Sequence, residues 1–242
     1  MAAVTSFVVD ENDLQPLPDD GDTATVRVAF DAANGCERLE QRVIRFGPGR
    51  SAERTLVGQQ EVLYIVDGRG RLHLDGRTHE LEPNMGVYLA PGETYAVENT
   101  GPQDLHVLSV LAPEDRAEAS GERKVTVRFD DQPELEASVE RSFRYLVNED
   151  AGCFDVTQFM GIVQPSKAPF HSHTYDEVGY VVAGEGFAHV GDRSIPLQVG
   201  SCFHLPPDEV HCIENSGDGP MRILGVFHPS GSPANRTYQD NK

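Results

Sequence analysis

The stretch that decides the fold is residues 171–190, HSHTYDEVGYVVAGEGFAHV. It consists of short runs of β-forming residues that are interrupted by glycine and by turn residues such as aspartate. Similar runs recur at intervals of about ten residues through most of the chain, and no long segment has helical periodicity. This pattern predicts an all-β fold, built as an antiparallel sandwich or barrel.

The same unit occurs twice in the chain. A shift of 116 residues places residues 55–74, TLVGQQEVLYIVDGRGRLHL, on residues 171–190 without a gap. The polar segment Pro113–Lys124 between the copies is typical of a linker. The chain of 242 residues is therefore predicted to form two tandem domains, residues 1–118 and 119–242. Identical residues in the two copies include Glu61 with Glu177, Tyr64 with Tyr180, Gly68 with Gly184, and Asn99 with Asn215.

The charge of the chain excludes several classes of partner. The formal net charge is −19, so no basic surface is expected for nucleic acid or for an anionic membrane. No run approaches the roughly 18 apolar residues of a membrane span, and the first residues lack the basic and apolar segments of a secretory signal. We therefore expect a cytoplasmic protein that binds a small molecule.

The four cysteines are Cys36, Cys153, Cys202 and Cys212, and none of them forms a CxxC pair. Reduced thiols are expected in the cytoplasm. The alternative is a disulfide between Cys202 and Cys212, which would need both side chains on one face of a hairpin.

Four residues of the second copy have the composition of a metal site. His171 and His173 are two residues apart and share one face of a strand. Glu177 opens the next strand, and His211 follows a proline-rich turn further along the chain. Three imidazoles and one carboxylate favour a divalent transition metal, such as Fe, Mn, Ni, Cu or Zn, over Mg or Ca.

These residues resemble the two motifs of the cupins, HxHxxxE with a following glycine and G-x5-P-x-G-x2-H-x3-N. The second motif runs from Gly200 to Asn215, with Asp208 in place of its usual internal glycine. The resemblance extends over nearly the whole chain as a bicupin. It implies two tandem jelly-roll barrels, also called double-stranded β-helices. It also implies that His171, His173, Glu177 and His211 bind one metal ion in the C-terminal domain.

The first copy keeps the frame of this motif without its ligands. Thr55, Val57 and Tyr95 occupy the positions of the three histidines, and Glu61 alone remains. Because valine offers no lone pair, no site with three nitrogens is expected there. We predict a structural N-terminal barrel, with binding of a small ligand as the alternative.

Strand alternation predicts which neighbours share the cavity around the metal. Gly179, Val181 and Ile213 should turn inward and Tyr180 outward, which gives a small apolar wall without a group that binds anions. His228, at the position of Ala112 in the first copy, is a candidate acid or base or a partner of a metal ligand.

Three further features have less specific interpretations. His204 matches Tyr88 and is interpreted as an aromatic strand residue. Arg144 is interpreted as a surface arginine, with a contact to a substrate carboxylate as the alternative. The periodicity of Gln132–Phe143 predicts a short helix that leads into the second copy.

The function expected from the resemblance is that of a metal-dependent enzyme. An oxidoreductase of the dioxygenase type is favoured, because a redox metal with open positions in an apolar cavity suits joint binding of O2 and a bidentate substrate. The alternatives are an isomerase, a decarboxylase or other lyase, a hydrolase similar to ureidoglycine aminohydrolase, and a bicupin that binds a small metabolite without catalysis. A homodimer is expected, since unpaired edge strands would otherwise be exposed.

Overall fold

The computed structural model describes residues 7–17, 21–115 and 123–238. These residues form 24 strands and four single-turn 3-10 helices, and no α-helix occurs among them. The predicted all-β class is confirmed. None of the described helices has the length and apolar character needed to cross a membrane. The 3-10 helices are Glu11–Asp13, Ala32–Asn34, Phe129–Asp131 and Glu149–Ala151.

The first half folds into two facing sheets. Its strands are β1 (Val8–Asp10), β2 (Ala24–Phe30), β3 (Glu40–Phe46), β4 (Gly49–Arg50), β5 (Arg54–Thr55), β6 (Gln59–Asp67), β7 (Gly70–Leu74), β8 (Arg77–Leu81), β9 (Met85–Leu89), β10 (Thr94–Asn99) and β11 (Leu105–Pro113). With β12 (Thr126–Arg128) of the second half, one sheet has the strand order β12-β9-β6-β11-β3-β2. The other sheet has the order β4-β10-β7-β8, with β5 also paired to β10.

The second half repeats this arrangement. Its strands are β12 (Thr126–Arg128), β13 (Leu135–Ser138), β14 (Arg141–Val147), β15 (Thr157–Val163), β16 (Ser166–Lys167), β17 (His171–Ser172), β18 (Asp176–Ala183), β19 (Gly186–Val190), β20 (Arg193–Leu197), β21 (Ser201–Leu205), β22 (His211–Asn215), β23 (Met221–His228) and β24 (Thr237–Tyr238). The sheets have the orders β1-β21-β18-β23-β15-β14-β13 and β20-β19-β22-β17-β24, with β16 also paired to β22.

The two halves exchange one edge strand each. Strand β1 of the first half pairs with β21 of the second, where Val8 lies opposite Phe203. Strand β12 of the second half pairs with β9 of the first, where Val127 lies opposite Gly86. Each barrel therefore completes a sheet of the other.

Apolar side chains form separate cores inside the barrels and a further core between them. The core between the barrels, which we call the interface core, takes large side chains from both halves, such as Phe30 and Tyr64 from the first and Met160 and Tyr180 from the second. Alternation along the strands explains this arrangement, because each inner sheet turns one face to its own barrel and the other face to its neighbour.

The connections of the two halves also correspond in detail. The 3-10 helices Ala32–Asn34 and Glu149–Ala151 are each followed by a glycine in the left-handed conformation. A buried cysteine comes next in both halves, Cys36 in the first and Cys153 in the second. These two cysteines therefore occupy equivalent positions of the repeat.

The predicted helix over Gln132–Phe143 is wrong. These residues contain β13, a turn and the start of β14, with Leu135 opposite Phe143. Arg141 and Phe143 are both buried and line the interior of the second barrel. Packing against that barrel outweighs the weak helical periodicity of the segment.

Two other predictions concern the cysteines and the domain boundary. All four cysteines are free and buried, so the thiols are unpaired as expected. The alternative disulfide is wrong, because Cys202 packs in the interface core while the Cys212 thiol donates to the Ala168 carbonyl at 3.0 Å. The predicted domain boundary at residue 118 falls within residues 116–122, outside the described residues, and stays a prediction.

Candidate metal centre

The four predicted ligands line one cavity inside the second barrel. The ligand atoms of His173, Glu177 and His211 lie within 4.8 Å of one another. The ring of His171 lies beside that of His211, with 4.5 Å between the ring centroids. Strands β17 and β22 are paired at these two residues, so the sheet itself brings them together.

Backbone carbonyls fix the orientation of all three imidazoles. The Nδ1 atom of His171 lies 3.0 Å from the carbonyl oxygen of Pro169, that of His173 lies 2.9 Å from Tyr175, and that of His211 lies 2.9 Å from Glu209. A carbonyl can only accept, so each Nδ1 carries the proton. The lone pair of each neutral ring is therefore on Nε2, which is the arrangement that metal-binding histidines adopt.

Two of the imidazoles are neutral at physiological pH. Burial and the neighbouring ring of His211 lower the pKa of His171 to about 4. Burial also lowers the pKa of His211 below its ordinary value. Unprotonated imidazole is the form that binds a metal ion.

The other two ligands share a proton. The Nε2 atom of His173 lies 2.7 Å from a carboxylate oxygen of Glu177. Burial opposes both charges, but the hydrogen bond raises the pKa of His173 and lowers that of Glu177. A cation that replaced this proton would find nitrogen and oxygen ligands already in place, so these residues fit a divalent transition metal.

The turn before His211 departs from the motif at Asp208. This residue has φ = 64°, in the left-handed region that favours glycine. The equivalent residue of the first half is Gly92, with φ = 81°. Aspartate tolerates this conformation better than most residues, so the substitution leaves the turn and the position of His211 intact.

The cavity has room for a small molecule. Its volume is about 80 Å³, which corresponds to on the order of five water molecules at roughly 15 Å³ each. Its wall is largely apolar and consists of Phe143, Phe159, Val163, Phe203, Leu205, Ile213, Ile223 and Phe227. A ligand of only a few non-hydrogen atoms fits beside the histidines.

The side-chain directions predicted for the strands are confirmed. Val181 packs in the interior of the second barrel, and Ile213 lines the cavity. A Cβ atom added to Gly179 would lie 2.0 Å from the ring of Phe203, so this position also turns inward and must be glycine. Tyr180 turns outward, into the interface core.

Two arginines in the cavity were not anticipated. Arg141 is 9% exposed and donates to the carbonyl of Ile213 at 2.8 Å. Arg236 lines the same cavity, and the one carboxylate among the described lining residues, Glu177, bonds to His173 and not to an arginine. Burial and the charge of Arg236 lower the pKa of Arg141, so the two guanidinium groups repel each other. The predicted absence of an anion-binding group is therefore wrong.

Arg236 reaches the cavity on the C-terminal segment, residues 229–238, which we call the strap. The strap ends in β24, where Tyr238 pairs with His171 of β17. Arg236 lies outside both sequence motifs and outside the repeat, so no sequence signal placed it at the site.

Tyr175 connects the strap to the ligands. Its hydroxyl lies 2.9 Å from the carbonyl oxygen of Ser232 and 3.1 Å from that of Asn235. Its ring stacks on His173, with 4.3 Å between the centroids and 14° between the planes. One side chain thus supports both the strap and a candidate metal ligand.

Three residues considered from the sequence lie elsewhere. His228 follows Phe227, which lines the cavity, and turns to the opposite face of β23, where its Nε2 is 3.2 Å from Asp115. Its position does not support a direct acid or base role in this cavity. His204 faces the interface between the barrels and bonds to Asp176. Arg144 pairs with Glu134 at 3.3 Å, outside the cavity.

In the first barrel, the positions equivalent to the three histidines hold other residues. Thr55 bonds to Thr94 at the surface, and Val57 is 82% exposed. Tyr95 and Glu61 are buried inside the barrel and bond to each other. No imidazole stands at any of the three equivalent positions.

Comparison with known proteins places this architecture in a family. The cupin domain family matches residues 42–111 and residues 159–227, one segment in each half. An oxalate-binding protein of Thermotoga maritima is 30% identical over 63 residues, which is 26% of this chain and 52% of that protein. The chain spans about half the length of the curated relatives that it matches.

Solved structures share the whole two-barrel fold. A glyoxylate-induced protein of Pseudomonas aeruginosa superposes with a TM-score of 0.80 at 18% identity, over 93% of this chain and 90% of that chain. An oxalate decarboxylase of Bacillus subtilis superposes with a TM-score of 0.77 at 15% identity, over 98% of this chain and 80% of that chain. At such identities the likeness concerns the fold alone. The family match in each half and the shared fold show that the chain belongs to the cupin superfamily and is a bicupin.

Proposed function

We propose that this bicupin is a metal-dependent enzyme whose C-terminal barrel acts on a small carboxylate anion. The observation that carries the proposal is the presence of Arg141 and Arg236 in the cavity of the candidate ligands, where the one carboxylate of the described lining, Glu177, bonds to His173. Two guanidinium groups face a single carboxylate in this lining, so the cavity favours an anionic ligand.

The candidate ligands and the arginines have separate roles. His171, His173, His211 and Glu177 would hold the metal, whose bound form would supply a Lewis acid and, for a redox-active ion, one-electron chemistry. Arg141 and Arg236 would bind and orient the carboxylate through charged hydrogen bonds.

The rest of the cavity strengthens these interactions. The rings of Phe143, Phe159 and Phe227 exclude water and lower the local dielectric constant. The small volume selects a substrate with few atoms. Because Tyr175 holds the strap, it keeps Arg236 over the cavity and acts as a positioning residue.

Decarboxylation is the reaction that we favour. In this reaction the bond between the carboxylate carbon and its neighbour breaks, CO2 leaves, and a proton replaces it on the remaining carbon, so no external oxidant is consumed. The arginine pair supports a carboxylate substrate. The likeness to an oxalate-binding protein and to an oxalate decarboxylase adds support for a substrate of the size of oxalate.

Oxygen-dependent dioxygenation, expected from the sequence, is the second candidate. The observation in its favour is the apolar wall of the cavity, which suits O2 beside a bound substrate. It differs from decarboxylation in consuming one O2 for each substrate molecule.

A parallel measurement of CO2 release and O2 consumption tests both reactions. The purified protein would be loaded with Mn²⁺, Fe²⁺, Ni²⁺, Cu²⁺ or Zn²⁺ in turn and incubated with oxalate, glyoxylate and larger carboxylates. We expect CO2 release without equimolar O2 consumption, while equimolar O2 consumption would support the dioxygenase. Carboxylate binding without turnover would show a binding protein, and the absence of any carboxylate binding would contradict the proposal.

A further inference from the structure

The interface between the barrels contains a second cluster of side chains with metal-binding atoms. Cys36 of the first half meets Asp176 and His204 of the second, and their ligand atoms lie within 4.8 Å of one another. The three residues are 1%, 4% and 5% exposed. A thiol, a carboxyl and an imidazole thus converge in an interior that is otherwise mostly apolar.

This cluster is separate from the cavity of the second barrel. Asp176 and Glu177 are consecutive residues of β18, so they turn to opposite faces of the sheet. Glu177 lines the cavity, whereas Asp176 turns to the interface and bonds to His204 of β21 at 2.6 Å. Cys36 approaches from the other barrel, on the turn after Ala32–Asn34.

The thiol of Cys36 is protonated in the metal-free cluster, because burial and the neighbouring Asp176 carboxyl raise its pKa. Among the described residues the thiols of Cys153 and Cys212 donate hydrogen bonds, and that of Cys36 donates none. A metal ion that binds here would displace the thiol proton, as it does at other cysteine ligands.

A fourth donor lies next to the cluster. His228 of β23 is the cross-strand partner of Asp176 and shares its face of the sheet. It is 2% exposed, and neither ring nitrogen has a hydrogen-bond partner among the described residues. The 3.2 Å approach of Asp115 to Nε2 lacks hydrogen-bond geometry. A buried imidazole without a partner indicates a missing ligand or water.

The equivalent position on the other side of the interface provides an internal comparison. There the thiol of Cys153 donates to the Oε1 atom of Gln60 at 3.2 Å. Gln60 corresponds to Asp176 in the repeat, Tyr88 to His204, and Ala112 to His228. Neutral residues satisfy the thiol on that side, and the side of Cys36 has three residues of ligand type instead.

We propose that Cys36, Asp176 and His204 bind a second divalent metal ion, of the Zn²⁺ class, that joins the two barrels. A mixed set of sulfur, nitrogen and oxygen donors suits Zn²⁺. His228 or a water molecule would complete the four ligands. The site is structural, because the cavity of the candidate catalytic site lies on the other face of β18.

Spectroscopy with Co²⁺ in place of Zn²⁺ tests this proposal. Bound to a thiolate, Co²⁺ gives a near-ultraviolet charge-transfer band, whereas the histidine and glutamate ligands of the cavity give none. We expect this band in the wild-type chain, together with one tightly held zinc ion that resists dialysis. Cys36→Ser should lose both the band and that ion. Cys153→Ser, at the equivalent buried cysteine, should keep both.

The outcomes separate this site from the cavity. His211→Ala should keep the thiolate band, because it removes a ligand of the cavity and not of the Cys36 cluster. Loss of metal from the cavity therefore does not contradict a zinc site at Cys36. Absence of zinc at Cys36 likewise does not contradict the proposed function of the cavity. Absence of the band in the wild-type chain would overturn the proposal, as would a band that persists in Cys36→Ser. If Cys36→Ser does not fold by circular dichroism, His204→Gln gives the same test through the loss of zinc.

Discussion

In the first barrel the hydroxyl of Tyr95 donates a hydrogen bond of 2.7 Å to Glu61, the residue that corresponds to Glu177. The hydroxyl of Ser109 donates to the other oxygen of the same carboxyl group. Burial, which outweighs these hydrogen bonds, raises the pKa of Glu61. Two hydroxyls thus satisfy in the first barrel the acidic group that has imidazole neighbours in the second.

We expect Mn²⁺ to bind only in the second barrel. In isothermal titration calorimetry, His171→Ala and His211→Ala should abolish Mn²⁺ binding, because each removes an Nε2 ligand. Mn²⁺ prefers nitrogen and oxygen to sulfur, so this titration reports on the cavity and not on the cluster of Cys36. Tyr95→Phe is the matched control and should bind Mn²⁺ as the wild-type chain does. Binding that survives in His211→Ala would show that the site lies elsewhere.

Arg236→Ala should weaken binding of the carboxylate. The loss of one charged hydrogen-bonding group costs about 1.5–3 kcal/mol, or roughly 10- to 150-fold in the KM of the carboxylate. Arg236→Lys should recover part of this loss, since it keeps the charge without the planar fork. Arg50→Ala removes an arginine with a half-exposed side chain in the first half and should leave the KM unchanged. An unchanged KM in Arg236→Ala would remove the strap from the binding site.

Tyr175→Phe should loosen the strap without removing its arginine. The phenylalanine ring can still stack on His173, but the hydrogen bonds to the carbonyls of Ser232 and Asn235 are lost. We expect faster amide exchange in residues 229–238 and a higher KM, with Mn²⁺ affinity retained. Tyr238→Phe, at a half-exposed tyrosine of the same segment, should change neither. Exchange rates equal to those of the wild-type chain would show that Tyr175 does not hold the strap.

Glu61→Gln should become increasingly stable relative to the wild-type chain as pH rises. A raised pKa in the folded state means that the neutral form of Glu61 contributes stability below its ordinary pKa of 4.5, and that this stability is lost as pH rises above it. Glutamine is neutral at every pH, so the variant keeps this stability. The melting temperature of Glu61→Gln relative to that of the wild-type chain should therefore increase from about pH 4.5 upward.

The control for this pH dependence is Glu53→Gln, since the side chain of Glu53 is 69% exposed. Its melting temperature should follow that of the wild-type chain over the same pH range. A difference between Glu61→Gln and wild type that does not vary with pH would show that Glu61 is charged inside the barrel.

A fragment of residues 120–242 should be insoluble or unfolded. It lacks β1, which pairs with β21, and it exposes the half of the interface core that Met160 and Tyr180 belong to. A large uncovered apolar face favours aggregation. Size-exclusion chromatography and circular dichroism of the fragment would test this expectation. A soluble fragment that binds Mn²⁺ would assign the first half an independent role.

The repeat predicted much of the architecture from sequence. The 116-residue shift depends on residues that the fold requires locally, such as glycines in turns and alternating apolar residues, so both barrels were predictable. The spacing of His171, His173 and Glu177 is equally local. The short turn between His173 and Asp176 carries the chain from one sheet of the barrel to the other, and both sheets turn these side chains into the same cavity.

The positions of Arg141 and Arg236 in the cavity could not be predicted, because they depend on long-range contacts and not on local sequence. Arg141 lies in a segment whose weak periodicity predicts a helix, and Arg236 lies on a strap whose path depends on Tyr175. Both reach the cavity through contacts between residues distant in sequence. Cys36 is a similar case, because its neighbours Asp176 and His204 come from the other half of the chain.

The exchange of β1 and β12 limits how such a duplicated chain can evolve. A gene that encodes two independent domains can lose one copy by a single deletion, since the other still folds. Here the deletion of either half would remove a strand from the surviving barrel. The ligand positions of the first barrel hold Thr55, Val57 and Tyr95, and such substitutions remove no strand from its partner. This half can therefore lack a metal site while the other half still depends on it for folding.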